Sequence, residues 1–451
     1  MELTVIWATK IFLAFLFTRT LAQAYLDLRQ GRHIWTHRKQ VPPPFDRDEG
    51  ISLEDHQKAV AYSLEKIKTG KVFRTIHLIV LLAWTLGGGI ELIGRWSSQL
   101  NLAFPSLASP ILEGLCLFIL FSLVELLLGI PESVYYTFVI EAKFGFNRTT
   151  PKTFIIDLVK GIALSTIIGL PFAGLLLWIM MAFVGSWWWI GFVCTTLFQI
   201  LLMWAYPAFI APLFNKFSPL EEGETKEQID DLLKSTQLPF KGLFVMDASK
   251  RTAHGNAYFT GFGKSRRIVF FDTLLKSLTP PEIRAILAHE IGHYKKHHLI
   301  KGLVISVLST FVGFYLLGVL AEWPTFFAAH GVKTITLGGT LLLFTLVAPV
   351  YTFFFLPVHN LISRRHEYEA DQFAARYANP QDLVNALIKL YRENASTLTP
   401  DSFYSAFYYS HPPAIERSQA LLQNPTTTAG TGDHEHIQPI YERHQALDDR
   451  E

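Results

Sequence analysis

His289-Glu290-Ile291-Gly292-His293 sets two imidazoles four residues apart, with a carboxylate directly after the first. On a helix, positions i and i+4 share a face, so both rings can reach one metal ion. Glu290 then stands where a base can take a proton from an attacking water. Two histidine ligands and a base at this spacing form the core of a zinc peptidase site. A helix is expected here. Thr279-Pro280-Pro281-Glu282 supplies a cap, prolines for the first turn and a capping-box glutamate. That helix should run straight on into the next apolar segment.

The third ligand must come from elsewhere. His297 continues the i, i+4 series, but on a straight helix it lies about 12 Å up the axis from His289. No glycine in Tyr294-Lys295-Lys296-His297-His298 offers a bend, so His297 and His298 read as residues at the membrane interface. A second candidate is Arg364-Arg365-His366-Glu367-Tyr368-Glu369-Ala370-Asp371. Glu367 and Asp371 share a helix face, and Glu369 points away. One carboxylate can bind the ion while the other accepts a hydrogen bond from a ligand imidazole. Read alone, the plainer account of this segment is a helix of solvated charges.

The elements that position these residues are mostly apolar. The 451 residues are 50% hydrophobic and 17% charged, with a mean hydropathy of +0.26. A soluble domain is nearer a quarter charged, so the deficit points to several membrane spans. Seven segments qualify, near 4–25, 75–93, 111–130, 155–184, 186–209, 298–320 and 335–362. Lys and Arg concentrate in the loops after the first and third. That places the N-terminus outside, and the His289 segment and C-terminus in the cytoplasm. The sixth and seventh spans form a hairpin, returning the chain to the side where His289 lies. Glu91, Glu113, Glu125, Asp157, Lys160 and His359 fall inside spans; such groups face a bundle interior or water, or snorkel from span ends. Cys116 and Cys194 sit in apolar runs and read as buried thiols. The net charge of +2 offers nothing to nucleic acid.

Between Phe217 and Lys296 the pattern is that of a soluble segment. Glu224–Ser235 reads as a helix and Gly242–Met246 as a strand. Asn256–Gly263 and Arg266–Phe271 read as a hairpin closed by Gly263-Lys264-Ser265. The division expected is five spans over 1–210, a metalloprotease segment over 211–297, two spans over 298–362, a helical catalytic part over 363–423 and a polar tail over 424–451.

Several motifs in one order resemble the type I CAAX prenyl endopeptidases, integral-membrane zinc proteases that process prenylated proteins. They are Glu141-Ala142-Lys143-Phe144-Gly145-Phe146-Asn147, Pro212-Leu213-Phe214-Asn215-Lys216-Phe217, Asn256-Ala257-Tyr258-Phe259 with the run 267–274, the His289–His293 helix, the run 363–371, and Tyr409-Ser410-His411-Pro412-Pro413-Ala414-Ile415-Glu416-Arg417. The resemblance spans about Tyr25 to Leu422. It implies a mainly α membrane protein in which seven transmembrane helices enclose a hydrated chamber, with a zinc metalloprotease domain containing a small β-hairpin on the cytoplasmic side. It implies one zinc ion on His289, His293 and Glu367, with Asp371 behind a ligand and Glu290 as base. Asn256, Ala257 and Tyr258 should hold an extended peptide by strand pairing. His411 and Arg417 should lie near the zinc, to stabilise the charged intermediate or position the substrate. From the residues alone, His411 passes for a helix-start residue and Arg417 for a surface charge.

The expected substrate is a peptide or protein, prenylated at its C-terminus; the other setting is the lipid bilayer. The short connection between the sixth and seventh spans and the polar tail suit a bacterial relative, in the inner membrane; a eukaryotic one belongs in the endoplasmic reticulum. A general quality-control membrane protease and a silent scaffold with a structural zinc are the competing readings. Intact His289, Glu290, His293 and Glu367 argue against the scaffold.

Overall fold

A computed structural model describes residues 2–47, 50–238, 242–260 and 267–423. The Gly263-Lys264-Ser265 turn and the polar tail lie outside the described residues. The N-terminal part consists of helices α1 (Glu2–Thr36), α2 (Leu53–Trp84), α3 (Gly89–Ala103), α4 (Pro110–Tyr135), α5 (Pro151–Ala182) and α6 (Trp187–Ala205). Ser52, Ser109 and Thr150 start α2, α4 and α5 by accepting hydrogen bonds from the N–H groups of Asp55, Leu112 and Thr153. Each cap satisfies one amide that the first helical turn leaves without a partner.

The soluble segment follows a short helix, α7 (Ala211–Phe214), and contains β1 (Phe217–Pro219), α8 (Glu224–Ser235), β2 (Gly242–Met246), β3 (Ala257–Thr260), β4 (Arg267–Phe271) and α9 (Asp272–Ser277). The chain continues through α10 (Pro280–Lys295), α11 (His298–Ala321), α12 (Pro324–Ala329), α13 (Leu337–Thr352), α14 (Leu356–Tyr377), α15 (Pro380–Glu393), α16 (Ser402–Tyr408) and α17 (Ala414–Gln423).

Among the described residues, six helices are long and apolar enough to cross a membrane, and a bent pair, taken as one span, makes a seventh. Their most apolar windows bury only 6–28% of their residues inside the protein, so these surfaces need lipid or another apolar medium. The second expected span is the bent pair: α2 and α3 meet at 56°, with Gly88 at φ 77°. Gly87-Gly88-Gly89 interrupts the helix there, and Gly88 takes the left-handed conformation at little cost. The seventh span is longer than expected: α13 and α14, joined by a single tight turn at Phe353–Phe355, run from Leu337 to Tyr377. It therefore carries the chain beyond the apolar run to Glu367 and Asp371.

Three of the charged groups expected within the spans are partnered. Glu125 accepts a 2.6 Å hydrogen bond from the Trp84 indole, Asp157 pairs with Arg251, and Lys160 donates to the Leu213 carbonyl at 2.8 Å. Cys116 and Cys194 are free thiols.

The hairpin belongs to a four-stranded sheet, in the order β1-β2-β4-β3. β2 and β4 run parallel, and the two outer pairs are antiparallel. Along β4, Ile268 and Phe270 point into the largest apolar core, while Val269 joins Met246 on the other face. That core includes Ile229, Leu232 and Leu233 of α8, Ile283, Leu287, Ala288 and Ile291 of α10, and Val384 and Ile388 of α15. Each fully buried Leu, Ile or Phe contributes about 1.5–3 kcal/mol, so α10 is held by burial along one flank.

α10 does not run straight into α11. It ends at Lys295, and His297 adopts φ 58° before α11 starts at His298. No glycine is present, so the left-handed residue costs about 1–2 kcal/mol. Hydrogen bonds of the next residue, described below, hold the bend.

Candidate active site

The Thr279–Glu282 capping box opens α10, with Glu282 accepting from the Thr279 N–H at 2.7 Å and pairing with Lys389 of α15 at 2.8 Å. α10 lies along α14, its most extensive helix partner. Gly292 makes the close crossing possible. A Cβ there would stand 2.9 Å from the Cα of Ala370 and 3.0 Å from the Cβ of Phe373. The missing side chain lets α14 approach until Glu367 and Asp371 face the two histidines.

His289, His293 and Glu367 offer one ligand atom each, all within 4.8 Å of one another. The Nε2 atoms of His289 and His293 are 3.1 Å apart, and Glu367 Oε1 is 3.2 Å from His293 Nε2. Asp371 accepts a 2.8 Å hydrogen bond at His289 Nδ1, which puts the proton on that nitrogen and leaves Nε2 bare. Glu367 is 3% exposed, and its Oε2 has only longer contacts, 3.5 Å to His289 Nε2 and the one to Arg417 given below. Lone pairs converging in a buried pocket repel one another unless a cation stands between them. Two nitrogens each about 2.0–2.1 Å from one tetrahedral ion stand about 3.3 Å apart, so this donor set fits a tetrahedral zinc ion.

Arg417 of α17 lies against the same carboxylates. It is buried, and donates from Nε and Nη2 to the two oxygens of Asp371 at 2.8 and 2.7 Å; Nη1 stands 3.2 Å from Glu367 Oε2. The surface-charge reading of Arg417 is thus corrected. The paired carboxylates outweigh its desolvation and raise its pKa. With His289 neutral, two carboxylates and one guanidinium leave the metal-free pocket one positive charge short, a charge that either a proton or a metal ion can supply. Burial and the Arg417 charge oppose protonation of His289, but its bonds to Asp371 and Glu367 prevail and hold its pKa up at about 9.

His411 sits in the turn before α17, with its side chain 65% exposed and Nε2 3.3 Å from Glu367 Oε1. It faces the open side of the cluster and starts no helix. Glu290 is half-buried next to His289 and has no hydrogen bond or ion pair among the described residues. Its carboxylate is left accessible, as a group that exchanges a proton with water would be.

Ala257 and Tyr258 open β3, an outer strand, and Asn256, expected on the strand, directly precedes it. One edge of β3 pairs with β4; the other has no strand partner among the described residues. Asn256 is exposed, its carbonyl accepts from the Phe271 N–H at 2.9 Å, and its amide oxygen accepts from the Ala257 N–H at 2.8 Å. The loop before β3 is moored to the membrane helices. Arg251 forks onto Asp157 of α5 at 2.8 and 3.0 Å, and His254 contacts Glu141 at 3.3 Å and Asn394 at 3.0 Å.

Sequence reasoning missed two groups around the cluster. His298 is buried, not interfacial: its Nδ1 is 2.9 Å from His293 Nδ1, and its Nε2 is 3.0 Å from Glu369 Oε2. Glu369 does point away from the ligands, but toward His298. Nothing in the residue pattern marks this pair, because a bend without glycine or proline leaves no signal. His297, the discarded ligand, is exposed and outside the cluster.

Residues 30–216 match a family described as CAAX prenyl protease N-terminal, five membrane helices, and residues 219–424 match peptidase family M48. CAAX prenyl protease 1 of Saccharomyces cerevisiae is 36% identical to this chain, covering 88% of it and 92% of the yeast protein. The human CAAX prenyl protease 1 homolog is 33% identical, covering 91% of this chain and 94% of its own. A crystal structure of S. mikatae Ste24p superposes with a TM-score of 0.83 at 36% identity, over 92% of this chain and 98% of that one.

Proposed function

The chain belongs to peptidase family M48, in the branch with the CAAX prenyl protease membrane region, and is an integral-membrane metalloendopeptidase; from that premise we propose that it cleaves prenylated proteins near a C-terminal CAAX sequence. The metal is a single zinc ion held by His289, His293 and Glu367. The observation that carries this reading is the convergence of their ligand atoms within 4.8 Å, in a pocket short of one positive charge. When bound, zinc polarises the scissile carbonyl and lowers the pKa of the attacking water toward ~7.

The protein's own groups do the rest. Glu290 takes the proton of the attacking water and passes it to the departing amine. His411, on the open side, donates to the oxygen on which negative charge develops. Arg417 is committed to Asp371 and Glu367, so it acts as a positioning residue that keeps both carboxylates charged and aimed. Asp371 fixes the His289 tautomer. The substrate lies extended along the free edge of β3, where Asn256, Ala257 and Tyr258 offer main-chain pairing. The seven spans surround a hydrated chamber that admits water and the prenylated end, with catalysis on the cytoplasmic side. In a eukaryotic cell the location is the endoplasmic reticulum membrane.

The test is a digest of farnesylated and plain C-terminal peptides by purified protein, with and without chelator. Chelator-sensitive cleavage that prefers the farnesylated peptide is expected. Equal cleavage of unprenylated membrane segments would instead favour the quality-control reading.

A further inference from the structure

We propose that His298 is a positioning residue for the metal site, fixing the tautomer and tilt of His293 through a relay that ends on Glu369. The inference rests on the metal-site reading above.

The proton placement follows from the partners. The ionised Glu369 carboxylate only accepts, so His298 Nε2, 3.0 Å away, carries the proton. A neutral His298 then presents the lone pair of Nδ1. Across the 2.9 Å contact, His293 Nδ1 must be the donor. That leaves His293 Nε2 bare, toward His289 Nε2 and Glu367. The two ligand histidines are therefore oriented from the same helix by different routes: Asp371 holds His289 directly, and Glu369 holds His293 through an intervening imidazole.

The fold is built to allow this. On an uninterrupted helix, residue i+5 stands about 140° round the axis from residue i, so His298 would point away from His293. The left-handed residue at His297 swings it back. Its ring plane is set by stacking on His366, with centroids 4.0 Å apart and planes 12° from parallel. Lys301, 3.7 Å from the same Glu369 oxygen, anchors the far end. A strained residue and a buried imidazole would serve little purpose if His298 were only a packing group.

The experiment uses the full chain in detergent, measuring zinc affinity by competition with a chromogenic chelator and the visible spectrum of the cobalt-loaded protein. Outer hydrogen-bond partners of metal ligands are worth about 10–100-fold in affinity. His298→Leu should weaken zinc binding by that much and shift the cobalt bands. His298→Asn places an amide oxygen near the position of Nδ1, and should recover affinity to within about fivefold of the parent. Wild-type affinity and spectrum in His298→Leu would overturn the proposal, as would an Asn variant as weak as the Leu variant. If His298→Leu does not fold, Glu369→Leu at a half-exposed position carries the test: about three- to tenfold weaker binding supports the relay and no change refutes it. A parent protein that binds no zinc would instead overturn the metal reading itself.

Discussion

Adding one carbon at Gly292 should damage the metal site without touching a ligand. The Cβ of Gly292→Ala would lie 2.9 Å from Ala370 Cα and 3.0 Å from both the Ala370 carbonyl oxygen and Phe373 Cβ. Carbon atoms in contact prefer about 3.5–4.0 Å, so α10 and α14 must part by about 0.6 Å. The nearest neighbour is backbone and cannot rotate aside. Overpacking costs about 1–3 kcal/mol, and alanine returns about 1 kcal/mol of helix propensity. The net loss of stability is therefore small, at most about 2 kcal/mol by these figures. The damage falls on function, because the same crossing sets the 2.8 Å bond from His289 to Asp371 and the 3.2 Å spacing of His293 to Glu367. A shift of about 0.6 Å along the first would stretch it to about 3.4 Å, past a useful hydrogen bond. Zinc affinity should fall about 10–100-fold. Peptide hydrolysis should fall about 100-fold, as expected for a misplacement near 1 Å. Gly302→Ala on α11, where an added Cβ meets nothing within 4 Å, is the control and should behave as the parent. Parent-like zinc affinity and turnover in Gly292→Ala would refute the claim that this crossing sets the site.

Two further outcomes are expected. Glu290→Gln should retain zinc and lose about 10²–10⁴-fold in turnover, since an amide cannot take the proton; parent-like turnover would eliminate Glu290 as base. Metal uptake should depend on pH, because His289 in the metal-free site has its pKa held up at about 9. Below that value zinc must displace a proton, so apparent affinity should climb with pH by up to about tenfold per unit and level off near pH 9. The stability of the metal-free protein runs the other way: the contribution of protonated His289 is complete below about pH 6.5 and is lost as pH rises through about 9. Chelator competition at several pH values checks the first, and a pH-independent affinity would contradict it.

The sequence was most legible where a local rule applied. The i, i+4 spacing placed His289 and His293 on one face, and the Thr279–Glu282 box started α10 where it begins. The bounds of α8 and β2 were read to the residue. Glu367 and Asp371 were reachable by topology, because a hairpin of spans returns the chain to its starting side. The break in the second span had a signal, Gly87-Gly88-Gly89, that hydropathy alone passed over. The strand β1 had almost none: three residues, one a proline, paired to β2. The bend at His297 had none either, and the burial of Arg417 was legible only through the Tyr409–Arg417 motif. Both are set by tertiary partners far along the chain, Glu369 for one and Asp371 for the other.

The mooring of Arg251 to Asp157, with His254 held by Glu141, has a consequence for how the enzyme could ever change its habitat. The strand proposed to grip the peptide is pinned to helix α5 and to Glu141, in the helical continuation of α4. Excising the water-soluble portion would strand a guanidinium without its counter-charge and let the gripping strand drift from the blade. Cutter and bilayer scaffold thus form one mechanical object, and a freely diffusing version would need that clasp rebuilt from new parts.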